Sequence, residues 1–232
     1  MDLVFMDPPF NLGKRYGSQS PAKDRRQPTD YESSIRLILD EAVRVLAPGG
    51  ALYLYHIPEW AVRFASYLMR ELSFRHWITV SMKNGFPPPG RLYPAHYALL
   101  YMTAGSPKWF VRPKIPAPRC RHCDGYVRDY GGYTQYIEAG LNLSDIWDDV
   151  SPVRHKANKH RTANELPPLI AERVLGVSGF AGGIFLDPFM GSGTAVLAAH
   201  RKGMRVIACD IEAENTRIAA KRIAQNPKEE PA

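Results

Sequence analysis

Long apolar runs are absent from this chain of 232 residues. No stretch approaches the roughly 20 consecutive apolar residues that a membrane helix requires. Cysteine is scarce as well: three residues, an odd number, favour a reducing compartment over a disulfide framework. The first residues lack a basic segment followed by an apolar one, so they do not indicate secretion. We therefore expect a soluble, cytoplasmic protein with no membrane partner.

Positive charge exceeds negative charge, with a net charge of +7 and a pI near 9.3. A polyanion is attracted to such a surface, which favours nucleic acid as a partner. The basic residues cluster between the regular elements, at residues 14–15, 23–26, 108–128 and 154–161. Runs of charge are also typical of ordinary solvated surface, so charge alone does not choose between these readings.

Apolar runs alternate with amphipathic stretches, a pattern typical of a sheet covered by helices on both faces. The pattern predicts strands at residues 3–6, 51–55, 77–82, 97–102, 184–186 and 206–208. It predicts helices at residues 31–46, 58–72 and 164–177, one after Gly193 and one ending near residue 224. Residues 84–153 contain long stretches rich in Pro, Gly, Arg and Tyr. We predict one α/β domain formed by residues 1–83 and 154–226, an inserted region at 84–153 with core strand near 97–103, and a tail at 227–232.

A strand, a glycine-rich turn and a helix form a candidate nucleoside-binding unit late in the chain. Its turn reads Asp187-Pro188-Phe189-Met190-Gly191-Ser192-Gly193-Thr194, and Asp210 ends the following strand. Such a turn points backbone N–H groups at a ligand, and an acidic residue in that place can accept hydrogen bonds from ribose hydroxyls. Val196 replaces the third glycine of the dinucleotide fingerprint, which counts against NAD. A plain tight turn is the alternative.

The second candidate site is Asp7-Pro8-Pro9-Phe10, directly after the first predicted strand. Two prolines remove two N–H donors, so the loop presents carbonyl oxygens and a carboxylate, all acceptors. Phe10 adds a stacking face. Such a loop suits a planar ligand that bears an amino group: Asp7 and the Pro8 carbonyl would accept its two hydrogens while Phe10 stacks on the ring. A proline-rich turn after an edge strand is the alternative.

Both segments resemble the motifs of DNA amino-methyltransferases. The catalytic segment comes first, residues 186–194 come last and the inserted region lies between them, an order similar to that of the beta class. Residues 44–53 and 91–96 also resemble segments of this family. The resemblance implies a Rossmann-like, S-adenosylmethionine-dependent methyltransferase sheet with helices on both faces, a circularly permuted motif order and an inserted recognition region. It also implies an extruded target base, because a base inside a duplex cannot reach Asp7. Residues 12–30 would close over that base.

The resemblance implies a role for each motif residue. The residues that hold the target base would be Asp7, Pro8, Pro9 and Phe10. The residues that bind the cofactor would be Asp187, Pro188, Phe189, Gly191, Gly193, Thr194 and Asp210. A family segment before the cofactor motif often reads His-Pro-Thr-x-Lys-Pro, and residues 160–167 depart from it. Asn164 takes the place of the family threonine, with Thr162 as the fallback.

The implied reaction is methyl transfer from S-adenosylmethionine to the exocyclic amino nitrogen of a base. The favoured target atom is N6 of adenine, because Asp at the first motif position is commoner among adenine enzymes. N4 of cytosine is the alternative target. A catalytically inactive DNA-binding module is a third hypothesis, because the family's strand before the catalytic one, which lines the adenine pocket, has no counterpart here. Double-stranded DNA is the implied partner. The sequence leaves open a homodimer and a cognate restriction nuclease.

The inserted region carries two further signals. Its cations and aromatic residues suit phosphate contact and base reading together; they are Lys108, Arg112, Lys114, Arg119, Arg121, Arg128, Trp109, Phe110, Tyr126, Tyr130 and Tyr133. Cys120 and Cys123 have the spacing of a zinc half-site. Two more ligands would be required, and His155 and His160 could serve only if the chain folds back, so we assign no metal. His56 and His96, at strand ends, are interpreted as hydrogen-bonded structural residues.

Overall fold

The computed structural model describes residues 1–14, 24–81, 89–90, 92–120, 122–127, 137–153 and 165–226. The strands are β1 (Leu3–Met6), β2 (Ala51–His56), β3 (Ser73–Ser81), β4 (His96–Thr103), β5 (Lys114–Ile115), β6 (Leu141–Asn142), β7 (Ile146–Trp147), β8 (Ile184–Asp187) and β9 (Arg205–Ala208). The helices are α1 (Pro28–Val45), α2 (Pro58–Leu68), α3 (Pro168–Ser178), α4 (Thr194–Arg201) and α5 (Ala213–Ala224). Within the described ranges, no helix is long and apolar enough to cross a membrane.

Seven strands form one mixed sheet in the order β7-β3-β4-β2-β1-β8-β9. β1 lies parallel to both β2 and β8, and β9 lies parallel to β8. β4 runs antiparallel between β2 and β3. Because β1, β8 and β9 are parallel neighbours, their carboxyl ends meet at one edge of the sheet, which is where α/β proteins bind ligands.

The sheet has a hydrophobic core on each face. α1 and α2 cover one face, where Leu39 and Phe64 pack against Val4 and Leu52. α3, α4 and Ala219 of α5 cover the other face. All four residues of β1 are buried, as are all six of β2, as expected for strands covered on both sides. The predicted α/β class with helices on both faces is confirmed.

Several predicted boundaries were wrong. The helix predicted from residue 164 begins at Pro168, because Pro167 is extended and Pro168 takes the first helical position, which proline favours. The helix predicted to reach residue 72 ends at Leu68, and β3 begins earlier than predicted, at Ser73. Among the described residues β9 forms one edge of the sheet, with Ile207 half exposed.

The inserted region contributes more to the core than the sequence indicated. β4 lies in the middle of the sheet, near the predicted position, and β7 extends the far edge beside β3. Trp147 of β7 is buried beneath Arg173, whose guanidinium binds the Asp149 carboxylate through two hydrogen bonds. Trp147 and Asp149 are thereby held against α3. The division of the chain at residues 84 and 153 stays a prediction.

Candidate active site

A cavity of about 450 Å³ opens at the carboxyl ends of β1, β8 and β9. The structure brings the two predicted motifs together there. The predicted site residues that line it are Asp7, Pro8, Pro9, Phe10, Pro188, Phe189 and Asp210. A small adjoining cavity is lined by Asp187, Gly191 and Thr194, and Asp7 and Phe189 line both spaces. The acceptor-rich loop and the start of the glycine turn, at Pro188 and Phe189, therefore line the same cavity.

Aromatic rings surround Phe10 at the base of the cavity. Its ring centroid lies 4.8 Å from that of His56, 5.6 Å from that of Tyr97 and 6.0 Å from that of Tyr55. Burial raises the pKa of both tyrosine hydroxyls, and the Asp7 carboxylate adds to the effect. The loop thus places one carboxylate beside a neutral, planar aromatic wall. This surface suits a flat ring that carries hydrogen-bond donors.

Asp210 connects the glycine turn to α5. One carboxylate oxygen accepts the Gly191 N–H at 2.9 Å, and the other accepts the Glu212 N–H and the Asn215 side-chain N–H, each at 2.9 Å. A carboxylate offers about four acceptor positions, so these bonds leave Asp210 about one for a ligand. Glu212 also lines the cavity. The predicted residue is therefore at the site, but it also organises the site's own backbone.

Asp187 is buried, with 2% of its surface exposed. Desolvation raises its pKa from 3.8 to about 8, and the nearby charges of Asp7 and Asp210 add to the rise, while a hydrogen bond from the Phe189 N–H opposes it. That bond is 3.0 Å long. Three carboxyl groups therefore meet at this end of the sheet, and the most deeply buried of them holds a proton at neutral pH.

Gly193 lies at neither cavity, although the resemblance assigned it to the cofactor. Its φ of +80° lies in the left-handed region, and a Cβ there would stand 2.7 Å from the Ala219 Cβ. The glycine therefore allows the turn to pack against α5. Arg222, which sequence analysis missed, holds the same turn by donating to the Ser192 carbonyl oxygen at 2.6 Å. Its distance of 30 residues from Ser192 leaves no local sequence signal.

Two other residues at the cavity were missed. Ile211 lines it with 86% of its surface exposed, an unusual state for a large apolar residue. Tyr31 reaches it from α1. A signal existed for Ile211, since an apolar residue directly follows the acidic end of a strand. No such signal existed for Tyr31, because the spacing of apolar residues in its helix predicts only that it faces the core.

Two cationic side chains, those of Lys14 and Arg26, line the cavity. The Asp24 carboxylate accepts the backbone N–H of Leu12 and of Lys14, and Asn11 exchanges two hydrogen bonds with the Arg26 backbone. The two ends of the predicted closing loop are therefore tied together beside the site. Residues 15–23 lie outside the described residues.

Part of the predicted recognition region lies away from the cavity. Lys108 binds the Asp2 carboxylate at 2.8 Å, at the amino end of β1, and its N–H donates to the Gly49 carbonyl. Trp109 packs on Phe180, with ring centroids 5.5 Å apart. These residues contact their own domain at the opposite end of the strands. Both side chains remain partly exposed, and their assignment to base and phosphate contact stays a prediction.

The remaining candidates from the sequence are the residues before the cofactor motif, the possible zinc ligands and His56. Asn164, Thr162, His155 and His160 lie outside the described residues. Cys120 and Cys123 are free thiols in a turn where Arg119 pairs with Tyr126. Across the part of the chain that the structure describes, no group of three or more potential metal ligands occurs. His56 is buried and hydrogen-bonded through both ring nitrogens, which confirms its structural interpretation.

Comparison with known proteins connects this geometry to one family. The N6_N4_Mtase family model, described as DNA methylase, matches residues 1–221. Type II methyltransferase M.BamHI from Bacillus amyloliquefaciens is 41% identical over 231 residues, which cover 99% of this chain and 54% of that protein. The chain thus spans about half the length of that relative.

Solved structures share the fold. A structure named PvuII DNA methyltransferase (cytosine-N4-specific) superposes with a TM-score of 0.65 at 16% identity, covering 99% of this chain and 81% of that one. The M1.HpyAVI–SAM complex superposes with a TM-score of 0.55 at 19% identity, covering 96% of this chain and 88% of that one. At these identities the likeness shows the fold alone.

Proposed function

The chain belongs to the N6/N4 DNA methylase family, and on that premise we propose that it methylates an exocyclic amino group of a base in DNA, with S-adenosylmethionine as the methyl donor. One observation carries the proposal. The acceptor-rich loop and the start of the glycine turn, separated by almost the whole chain, line the same cavity, and Asp7 also borders the small cavity beside the turn. Such an arrangement supports the proposal because a base and a methyl donor would lie side by side in it.

The donor set fits S-adenosylmethionine. That molecule carries a sulfonium and an ammonium cation, and carboxylates line the space, among them Asp7, Asp210 and Glu212. Its adenosine part needs an apolar surface and hydroxyl acceptors, which Ile211 and the acidic pair Asp210 and Glu212 offer. The M1.HpyAVI structure, which shares the fold, is a complex with this compound. When bound, S-adenosylmethionine supplies an electrophilic methyl group.

The loop activates the amine by accepting its hydrogens. The Asp7 carboxylate and the Pro8 carbonyl would each accept one hydrogen of the amino group, and Phe10 would stack on the ring. Hydrogen bonds in this direction localise the lone pair on nitrogen, out of conjugation with the ring, so that it can attack carbon. The bond between the methyl carbon and the sulfonium sulfur would break as the nitrogen–methyl bond forms, with S-adenosylhomocysteine as the neutral leaving group. Asp7 would accept the proton that the amine must lose.

Adenine N6 is the base that we propose, with cytosine N4 as the second candidate. The Asp at the first motif position supports adenine, whereas the structural neighbour from PvuII is named as cytosine-N4-specific. Both amines present two hydrogens to the same acceptors. Lys14 and Arg26, which line the cavity, support DNA as the substrate, since their charge attracts phosphates. Formation of a homodimer and partnership with a cognate restriction nuclease stay predictions.

An Asp7→Ala variant tests the proposal. We expect loss of methyl transfer from radiolabelled S-adenosylmethionine to unmethylated bacterial genomic DNA, with a cofactor Kd within about an order of magnitude of the wild-type value. Asp40→Ala is the matched control, because Asp40 is an exposed carboxylate bonded to Tyr67. Transfer retained by Asp7→Ala would refute the role of the loop. Absence of cofactor binding by the wild-type chain in calorimetry would favour an inactive DNA-binding module.

A further inference from the structure

A chain of hydrogen bonds beneath the cavity ends on the loop that carries Asp7. The Ile57 N–H donates to Nδ1 of His56 at 2.8 Å, so the proton of the neutral ring lies on Nε2. Nε2 is 2.6 Å from the Tyr31 hydroxyl oxygen. That hydroxyl donates to the Pro9 carbonyl oxygen at 2.5 Å. The three bonds therefore point in one direction, from the Ile57 N–H, directly after β2, to the loop.

The buried surroundings keep His56 and Tyr31, which form these hydrogen bonds, in one protonation state. His56 has no exposed surface and Tyr31 has 4% exposed. Burial lowers the pKa of His56 to about 3, so the ring is neutral throughout the physiological range. The rings that pack around the pair, from Trp60 and Phe64, are apolar. A buried hydroxyl and a buried imidazole without their partners would be costly, so each holds the other in place.

The series of hydrogen bonds ends at the Pro9 carbonyl, whose direction depends on a backbone torsion that the two prolines leave adjustable. The pyrrolidine rings fix φ at Pro8 and Pro9, and a following proline restricts ψ at Asp7 and at Pro8. The ψ angle of Pro9 is not restricted in this way, and it directs both the Pro9 carbonyl and the start of Phe10. The bond from Tyr31 fixes that carbonyl. The same His56 ring supports the Phe10 ring, at 4.8 Å between centroids.

We propose that Tyr31 and His56 are positioning residues that set the ψ torsion of Pro9 and the orientation of the Phe10 ring against the target base. The inference rests on the proposed function. Neither residue contacts the reacting atoms in this account. They act by holding the stacking ring and the acceptors in one geometry, and a displacement of about 1 Å in such groups lowers rates by up to about a hundredfold.

The first test removes one hydroxyl. In Tyr31→Phe we expect the single-turnover rate on unmethylated genomic DNA to fall by about tenfold or more, with Kd values for S-adenosylmethionine and for DNA within about twofold of wild type. Hydrogen–deuterium exchange should rise at the amides of residues 10–13. Tyr53→Phe is the matched control, since it removes a buried hydroxyl bonded to Ser178 at 2.8 Å on the other face of the sheet. A merely structural role would affect both variants alike.

The second test asks whether the two residues act in series. His56→Leu should lower the single-turnover rate about as much as Tyr31→Phe, and the double variant should be no slower than the slower single variant. His56→Gln keeps an N–H donor and should recover part of the rate. If His56→Leu does not fold, the pair Tyr31→Phe and His56→Gln carries the same comparison. Multiplicative losses in the double variant would overturn action in series.

The outcomes separate the inference from the function on which it rests. If the wild-type chain methylates DNA and Tyr31→Phe matches its rate within twofold, the positioning role is refuted and the proposed function stands. If the wild-type chain methylates no DNA, the proposed function fails. In that case the exchange measurement still decides the structural claim, because unchanged exchange at residues 10–13 in Tyr31→Phe would show that the bond does not hold the loop.

Discussion

Replacing Asp187 by Asn should make the stability of the protein less dependent on pH. Asp187 is 2% exposed, and desolvation raises its pKa from 3.8 to about 8. An amide oxygen can accept the Phe189 N–H just as the carboxyl oxygen does, at 3.0 Å in the wild-type chain. The substitution therefore removes the titrating proton while the size and the hydrogen bond of the side chain are kept.

The sign follows from proton binding. Between about pH 4 and pH 8 the native state holds a proton on Asp187 that the unfolded state has lost. The contribution of Asp187 to stability is therefore fully present below about pH 3.8 and is lost as the pH rises through about 8. The slope is about 1.4 kcal/mol per pH unit, so about 2.7 kcal/mol disappears between pH 5 and pH 7. Asp187→Asn lacks this slope and gains stability relative to wild type as the pH rises.

Urea unfolding at pH 5, 6, 7 and 8, followed by circular dichroism, measures the effect. The difference in the free energy of unfolding between Asp187→Asn and wild type should grow with pH by up to about 1.4 kcal/mol per unit. Asp40→Asn serves as the control, because its side chain is exposed. Parallel curves for Asp187→Asn and wild type would refute the reasoning and would mean that Asp187 is ionised in the folded protein.

Three further predictions concern the cofactor side of the site. Asp210→Ala should weaken S-adenosylmethionine binding by about 1.5 to 3 kcal/mol in calorimetry; unchanged affinity would shift the ribose contact to Glu212. Gly193→Ala should lower the free energy of unfolding in urea by at least about 1 kcal/mol, because φ is +80° and the new methyl group would meet Ala219 at 2.7 Å. Ile211→Ser should weaken cofactor binding by about 1 to 2 kcal/mol without a loss of stability, since the side chain is 86% exposed; a lower midpoint of unfolding would instead assign it to the core.

The joining of the two motifs was predictable from the sequence. Buried strands that end in Asp7 and in Asp187 have strong apolar signals, and a parallel sheet brings the carboxyl ends of such strands to one edge. The glycine turn and the acidic end of β9 were found for the same reason. In each case the chemistry lies within a few residues of a regular element that local pattern identifies.

What the sequence could not supply were contacts between distant residues. Lys108 lies in a basic, aromatic stretch that is typical of nucleic-acid binding, yet it pairs with Asp2, 106 positions away. The bond from Tyr31 to Pro9 and that from Arg222 to Ser192 likewise join separate elements. Each depends on how helices pack against the sheet. Helical spacing indicates that a residue is buried, but not which polar group it meets.

The most direct test of the account is a nucleoside analysis of DNA from a methylation-deficient bacterial host that expresses this chain. After complete digestion, mass spectrometry should show N6-methyladenine that is absent from a host expressing Asp7→Ala. Long-read sequencing of the same DNA should place the modification at one recurring sequence. N4-methylcytosine in its place would keep the mechanism and change the base. DNA without either modified base, from cells that contain the folded chain, would contradict the central claim.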